Sequence, residues 1–250
     1  MADWCAIIYF FGFTDFRDRA IYCETFLMDY PIFPAMAYPI SKRIICPIYN
    51  LWIREVYGVE NLPRDTPFII AANHTSYFDA FLLPSIIVPK LNKKMCALID
   101  STYWRYPLVE YFMEKWGGIP LHVNKEKNAK KFNERSMQAA AKFLRNGRIL
   151  MMFPEGGRGK DGRLQKAFNG IARLALESKA AVVPAGIKDA HKVWPKGKKF
   201  PTFNRCEVRI GKPMYFEKYY KKKPTKKILE NITRSIMKEI AKLIGQKYNY

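Results

Sequence analysis

The chain has 250 residues, 49% of them hydrophobic and 15% aromatic, and a formal net charge of +21. That length accommodates one large domain, or a domain with an appendage, around a real apolar core. No run reaches the ~18–20 apolar residues of an unbroken membrane span. The charge points to an anionic partner (a phospholipid surface, a nucleic acid or a phosphorylated ligand) unless it only covers a solvated basic face.

Near the N-terminus, Trp4 to Phe13 is apolar and aromatic but short, and Pro31 to Ile53 is broken by Pro34, Pro39, Lys42, Arg43 and Pro47. Both read as shallow interfacial segments, with aromatic rings at the headgroup boundary and Lys42 and Arg43 reaching anionic lipid. A helical pair packed on the domain is the plainer alternative. Strands are then predicted over 53–59, 68–72, 95–99, 119–123, 149–153, 181–187 and 206–210. Helices are predicted over 79–87, 107–115, 129–145 and 170–178. This alternation predicts an α/β fold, a mostly parallel central sheet covered by helices, with an N-terminal helical membrane-facing appendage. The expected divisions are 1–55 for the appendage, 56–220 for the α/β domain and 221–250 for a C-terminal amphipathic helix. In that tail Ile228, Leu229, Ile232, Ile236, Ile240, Leu243 and Ile244 form one apolar stripe, suited to packing on the core or, as the second choice, to lying on a membrane.

The five cysteines are scattered, without zinc or redox spacing. Their odd number in a chain of this size predicts a reduced, cytosol-facing setting. Asn73-His74-Thr75 and Asn231-Ile232-Thr233 match the glycosylation pattern, but no secretory signal precedes them, and both read as chance.

Two polar loops follow buried strands. The first is Asn73-His74-Thr75-Ser76-Tyr77-Phe78-Asp79, after the apolar run from Pro67 to Ala72. Imidazole exchanges a proton near neutral pH, and a carboxylate can orient it. Residues spaced like His74 and Asp79 cannot share one helix face, so His74 belongs on the turn before a helix and Asp79 in its first turns. Thr75 or Ser76 is expected to cap that helix. The second loop is Phe153-Pro154-Glu155-Gly156-Gly157-Arg158, after the run from Arg148 to Met152. Arginine offers paired donors to a phosphate, and the glycines let backbone N–H groups approach the same oxygens. Gly156 to Lys160 lacks the ending of a nucleotide phosphate loop, which argues against an ATPase.

The ordered set of Gly58-Val59-Glu60-Asn61-Leu62-Pro63, His74 with Asp79, Phe153-Pro154-Glu155-Gly156-x-Arg158 and Val183-Pro184-Ala185-Gly186-Ile187 resembles the glycerolipid acyltransferase family. The likeness runs from about Tyr57 to about Pro213. It implies an O-acyltransferase that moves a fatty acyl chain from acyl-CoA or acyl carrier protein to the hydroxyl of 1-acyl-glycerol-3-phosphate or of a related lysolipid. It further implies His74 as the base, Asp79 as its orienting carboxylate, Arg158 on the acceptor's phosphate, and Glu155 and Gly156 shaping or touching the acceptor. Val183 and Pro184 would shape the acyl pocket. Beyond the acyl donor, the resemblance implies no cofactor and no metal. The expected partners are an anionic membrane surface, a lysophospholipid and the acidic donor, on the cytosolic face of a membrane.

Two departures from the family pattern matter. Gly157 replaces the usual threonine, which should loosen the loop. In Trp116-Gly117-Gly118-Ile119-Pro120-Leu121-His122-Val123, Gly118 looks like a family position, expected at the bound substrate, but Val123 stands where an arginine usually helps bind the acceptor phosphate. Lys125 or Lys127 is the expected substitute. The second departure keeps a glycolipid or another lysolipid open as acceptor. A basic nucleic-acid-binding protein also explains the charge, but no RNA-recognition, helix-turn-helix or zinc-finger pattern is present, and no nucleic-acid partner is expected.

Overall fold

The computed structural model describes residues 41–250 apart from 107–109, 111–112, 114–116, 124–128, 160, 196–197 and 199. The predicted appendage over 1–55 lies mostly outside the described residues, as does most of the predicted helix over 107–115. The first described segment is a helical turn, Ser41–Ile45, running into α1, Cys46–Asn50.

Among the described residues, runs of β-branched and apolar residues build seven strands: β1 Ile53–Tyr57, β2 Phe68–Ala72, β3 Met95–Asp100, β4 Gly118–Leu121, β5 Ile149–Met152, β6 Ala181–Lys188 and β7 Cys206–Ile210. They form one sheet in the order β1-β7-β6-β2-β5-β3-β4. Every pairing is parallel except β6 with β7. β1 is already part of this sheet, so the α/β unit begins ahead of position 56. β2 is central and buried along its whole length, which is why it reads as a continuous apolar run.

The helices are α2 Asp79–Leu91, α3 Ala129–Arg145, α4 Gly170–Ser178, α5 Ala190–Val193, α6 Glu217–Tyr220 and α7 Lys226–Ile244. The two-residue repeat of β2 splits the core. Phe68, Ile70 and Ala72 meet Phe78, Leu82, Leu83 and Ile87 on one face of the sheet. Ile69 and Ala71 share the other face with Ala140 and Leu144 of α3, Ile171 and Leu174 of α4, and Ile232, Ile236 and Ile240 of α7. The apolar stripe of the C-terminal helix therefore lies against the sheet and is not left for a membrane. Thr225 caps α7 by accepting from the Ile228 N–H, and Gly245 ends it in the left-handed conformation.

Element ends differ from expectation for local reasons. α2 runs past Ile87 to Leu91 because Val88 is still buried and Asn92, in the left-handed region, returns its N–H to the Val88 carbonyl at 2.9 Å. β4 stops before His122, whose N–H is taken by the Asn133 side chain at 2.8 Å. Pro120 is tolerated in β4 because that strand is the sheet edge. Gly58 leaves β1 at φ +76°, and a Cβ there would lie 2.0 Å from the Ile210 carbonyl oxygen. Only glycine fits this turn, which docks the end of β1 on β7.

Candidate active site

Parallel strands present their carboxyl ends along one edge, and the loops leaving them meet there. β2 delivers Asn73 and His74 to this edge, β5 delivers Phe153 to Arg158, and β6 leads into α5. Asn73 extends the pairing of β2 with β6 by side chain alone. Its amide donates to the Ile187 carbonyl at 2.8 Å and accepts the Ile187 N–H at 2.7 Å. This bond was not foreseen from the sequence, because an asparagine in a polar loop carries no signal of it.

His74 sits on the turn and Asp79 is the first residue of α2, as their spacing requires. The Nδ1 atom of His74 lies 3.0 Å from Oδ2 of Asp79. The same oxygen accepts the backbone N–H groups of Thr75 at 2.6 Å and Ser76 at 2.8 Å. An oxygen that already accepts twice is best matched by a donor, so Nδ1 carries the proton and Nε2 presents its lone pair. Among the described residues Nε2 has no hydrogen-bond partner. Asp79 is fully buried and the His74 side chain is 18% exposed, so the imidazole bridges the interior and the solvent. The Phe153 ring stacks on the imidazole at 4.1 Å and 14°. Helix capping is arranged differently from expectation. Phe78 occupies the cap position without a side-chain bond, because Ser76 Oγ accepts the Phe78 N–H and Asp79 gathers the turn.

Glu155 joins the two loops. One oxygen accepts the His74 N–H at 2.9 Å and the other accepts the Gln165 N–H at 2.6 Å. Burial raises its carboxyl from the ordinary 4.5 to about 7; the two N–H donors oppose the rise, and the charge of Asp79 adds to it. Gly159 donates its N–H to the His74 carbonyl at 2.7 Å. Gly156 adopts φ +66° beneath the Phe168 ring, 2.8 Å from where a Cβ would stand. The Arg158 guanidinium lies flat over Tyr77, 3.5 Å from the ring centroid, at the opening of the His74 turn. Ser76 and Tyr77 also touch α5: the Ser76 hydroxyl donates to the Trp194 carbonyl at 3.1 Å, and the Tyr77 and Trp194 rings are 5.9 Å apart.

The structure thus brings together His74, Asp79, Glu155, Gly156 and Arg158. It does not bring Gly118 to them. That glycine is buried in β4 opposite Ala97, and a Cβ there would stand 2.9 Å from the Met113 carbonyl and 3.1 Å from Trp104. Its role is close packing, which corrects the expected substrate contact. Val183 is also core, fully buried opposite Ile70 in β6, and Pro184 packs against Gly211. Lys125 lies outside the described residues. A groove of about 650 Å³ runs between α1, α2 and β1, past Asn50, Val56, Ile86 and Pro89. It follows the far end of α2, away from the histidine. Gln165, Phe153 as a stacking partner, and Tyr77 beneath the arginine were not foreseen.

Fold and site together define an α/β protein that holds a histidine–carboxylate pair and an arginine loop at the carboxyl edge of a parallel sheet. The chain belongs to the acyltransferase family, whose model matches residues 53–188. It is 30% identical to the chloroplastic 1-acyl-sn-glycerol-3-phosphate acyltransferase of Arabidopsis thaliana over 68% of this chain and 46% of that protein. It is 26% identical to the 1-acyl-sn-glycerol-3-phosphate acyltransferase of Bacillus subtilis over 76% of this chain and 87% of that one. The chain spans about half the length of the chloroplast relatives it matches. The crystal structure of the 1-acyl-sn-glycerophosphate acyltransferase of Thermotoga maritima shares the fold, with a TM-score of 0.58 at 19% identity, over 96% of this chain and 89% of that chain.

Proposed function

We propose that this chain transfers a fatty acyl group from a thioester, acyl-CoA or acyl carrier protein, to the free hydroxyl of 1-acyl-glycerol-3-phosphate. The observation that carries the reading is the oriented pair of His74 and Asp79, with Nδ1 committed to the carboxylate and Nε2 left to act. An alcohol is a poor nucleophile at neutral pH. Nε2 takes its proton as the oxygen attacks the thioester carbonyl. The tetrahedral intermediate then expels the thiolate, which recovers the proton from the imidazolium, so the base is regenerated. Asp79 stabilises the imidazolium between these steps. Arg158, held over Tyr77, receives the acceptor's phosphate, and the low dielectric around Phe153 strengthens each of these charges.

The names of the relatives support the acceptor, and the net charge of +21 supports anionic partners for both substrates. The same reading has the protein work at the cytosolic face of an anionic membrane. Among the described residues no helix is long and apolar enough to cross a membrane.

One observation favours a second acceptor class. Val123, 38% exposed just past β4, stands where the family usually has a phosphate-binding arginine. Beside it Ser101 Oγ and His122 Nδ1 are 2.6 Å apart, a polar pair suited to a sugar or a larger head group. The test is incubation of the purified full chain with mixed acyl-CoAs and a panel of lysophosphatidate, other lysophospholipids and glycolipids, with mass spectrometry of the products. Acylated lysophosphatidate, lost in His74→Ala, is the expected result. Product from His74→Ala at the unaltered rate would refute the base assignment.

A further inference from the structure

We infer that residues 200–205, in the loop ahead of β7, are a membrane-docking element that seats the mouth of the active site on an anionic bilayer. They carry Phe200 and Phe203, which are 79% and 103% exposed. Two phenyl rings held out in water contribute nothing to the core, and adjacent exposed aromatics of this kind mark an interaction surface. Lys198 and Arg205 stand exposed beside them. Aromatic residues set among cations match the lipid interface, where rings enter the acyl boundary and the cations meet headgroup phosphates.

The loop is held in shape. The Thr202 N–H donates to the Val193 carbonyl at 2.7 Å and its hydroxyl donates to the Lys192 carbonyl at 2.7 Å. The Trp194 indole donates to the Lys198 carbonyl at 2.8 Å. From the other side the Trp52 indole donates to the Thr202 carbonyl at 2.8 Å, and the Cys206 N–H returns to the Trp52 carbonyl at 2.9 Å. The segment that carries the phenyl groups is therefore tied by hydrogen bonds to the end of α5 and to Trp52.

Its position supplies the link to chemistry. Trp194, at the base of the loop, accepts the Ser76 hydroxyl and faces Tyr77, the ring under Arg158. Leu51, beside Trp52 in the same frame, is 62% exposed, and Ile48 and Ile44 on the preceding helical turns are 49% and 57% exposed. Exposed apolar side chains thus stand on two segments joined through the Trp52–Thr202 bond, and the second of them meets the His74 turn through Trp194 and Tyr77. A lipid acceptor would pass from the bilayer to the imidazole without crossing water. That consequence rests on the acyl-transfer reading, whereas the docking does not.

The test reads the two separately. The full chain carrying Phe203→Trp is mixed with vesicles of brominated phosphatidylcholine and phosphatidylglycerol. The expected result is tryptophan quenching well beyond that of the unaltered chain, weakened when phosphatidylglycerol is left out. No added quenching overturns the inference. The double variant Phe200→Ser, Phe203→Ser should transfer acyl groups to a bilayer-borne acceptor on the order of tenfold more slowly. Its rate on a short-chain acceptor below its micellar concentration should stay unchanged. Equal loss on both acceptors, or loss on neither, also overturns the docking role. Absence of transfer by every chain, the unaltered one included, would sink the acyl-transfer reading, while the quenching would still report on docking.

Discussion

Gly159 donates its backbone N–H to the carbonyl oxygen of His74 at 2.7 Å. Glu155 accepts the N–H of the same histidine at 2.9 Å, across 81 positions of chain. Both backbone polar groups of His74 are therefore held by the loop after β5. The imidazole and the arginine loop form one unit, and any change that moves one should move the other.

The oriented imidazole gives the first expectation. His74→Ala removes the group proposed to take the acceptor's proton and should slow transfer about 10²–10⁴-fold. Its fold should persist, because the ring is partly exposed. Asp79→Ala differs in kind. It strips the acceptor from Nδ1 and also from two buried backbone donors, Thr75 and Ser76. Each buried donor left unpaired costs about 1–3 kcal/mol, so this variant should lose activity and about 2–6 kcal/mol of stability together. Chemical denaturation beside single-turnover kinetics separates the two patterns.

Glu155 makes the site sensitive to pH, and the sign follows from its carboxyl being raised to about 7 from 4.5. Between those values the folded chain holds the proton that the unfolded chain has released. The contribution of this group to stability is complete below about 4.5 and is lost as pH rises through about 7. Glu155→Gln does not titrate. Thermal melts at pH 5 and pH 8 should show the stability of the unaltered chain falling relative to Glu155→Gln by a few kcal/mol. The amide nitrogen cannot accept an N–H, so the variant should also lose its grip on either His74 or Gln165. A fall in kcat on the order of tenfold is expected, with the acceptor KM little changed. A parallel pH dependence of the two melts would remove Glu155 as the cause.

Arg158 and Tyr77 should behave as a pair. Losing a charge-assisted phosphate contact costs about 1.5–3 kcal/mol, so Arg158→Ala should raise the acceptor KM about tenfold or more while leaving the donor KM alone. Tyr77→Leu keeps the charge but removes the ring 3.5 Å beneath it; a smaller rise in the same parameter is expected. Arg158→Lys should rescue in part, since an ammonium neither stacks nor grips in a fork. A double-mutant cycle on acceptor KM measures the coupling, and full additivity would deny the stack a role.

Much of this arrangement is legible in the sequence because its signals are local. β2 and β7 begin and end where their apolar runs do, and α3 and α4 follow their periodic stripes. The spacing of His74 and Asp79 alone requires a turn followed by a helix start. What was not legible depends on contacts far apart in the chain. Asn73 matters because Ile187 lies beside it, and Gln165 because Glu155 reaches its N–H. Neither fact leaves a mark on neighbouring residues. Gly118 was expected at the substrate and Val183 at the acyl pocket on the strength of family position, yet both are packed in the buried sheet. The antiparallel β7 is invisible for the same reason, since strand direction within a sheet is set by the path of the connection and not by the strand's own residues.

The second loop offers a last contrast between two nearby glycines. A Cβ on Gly157 meets nothing within 4 Å, whereas one on Gly159 would lie 2.4 Å from the Arg163 carbonyl. Neither glycine has a positive φ, so space and not backbone strain decides. Gly157→Thr, restoring the residue usual in the family, should be accepted without loss, and by narrowing the unfolded ensemble it should gain about 0.4–1 kcal/mol. Gly159→Ala must push the chain away from Arg163, and the N–H that holds the His74 carbonyl moves with it. Melting temperature and kcat should both fall in that variant and should hold or rise in Gly157→Thr. If Gly159→Ala melts and turns over as the unaltered chain does, the bond between Gly159 and His74 is not what fixes the imidazole.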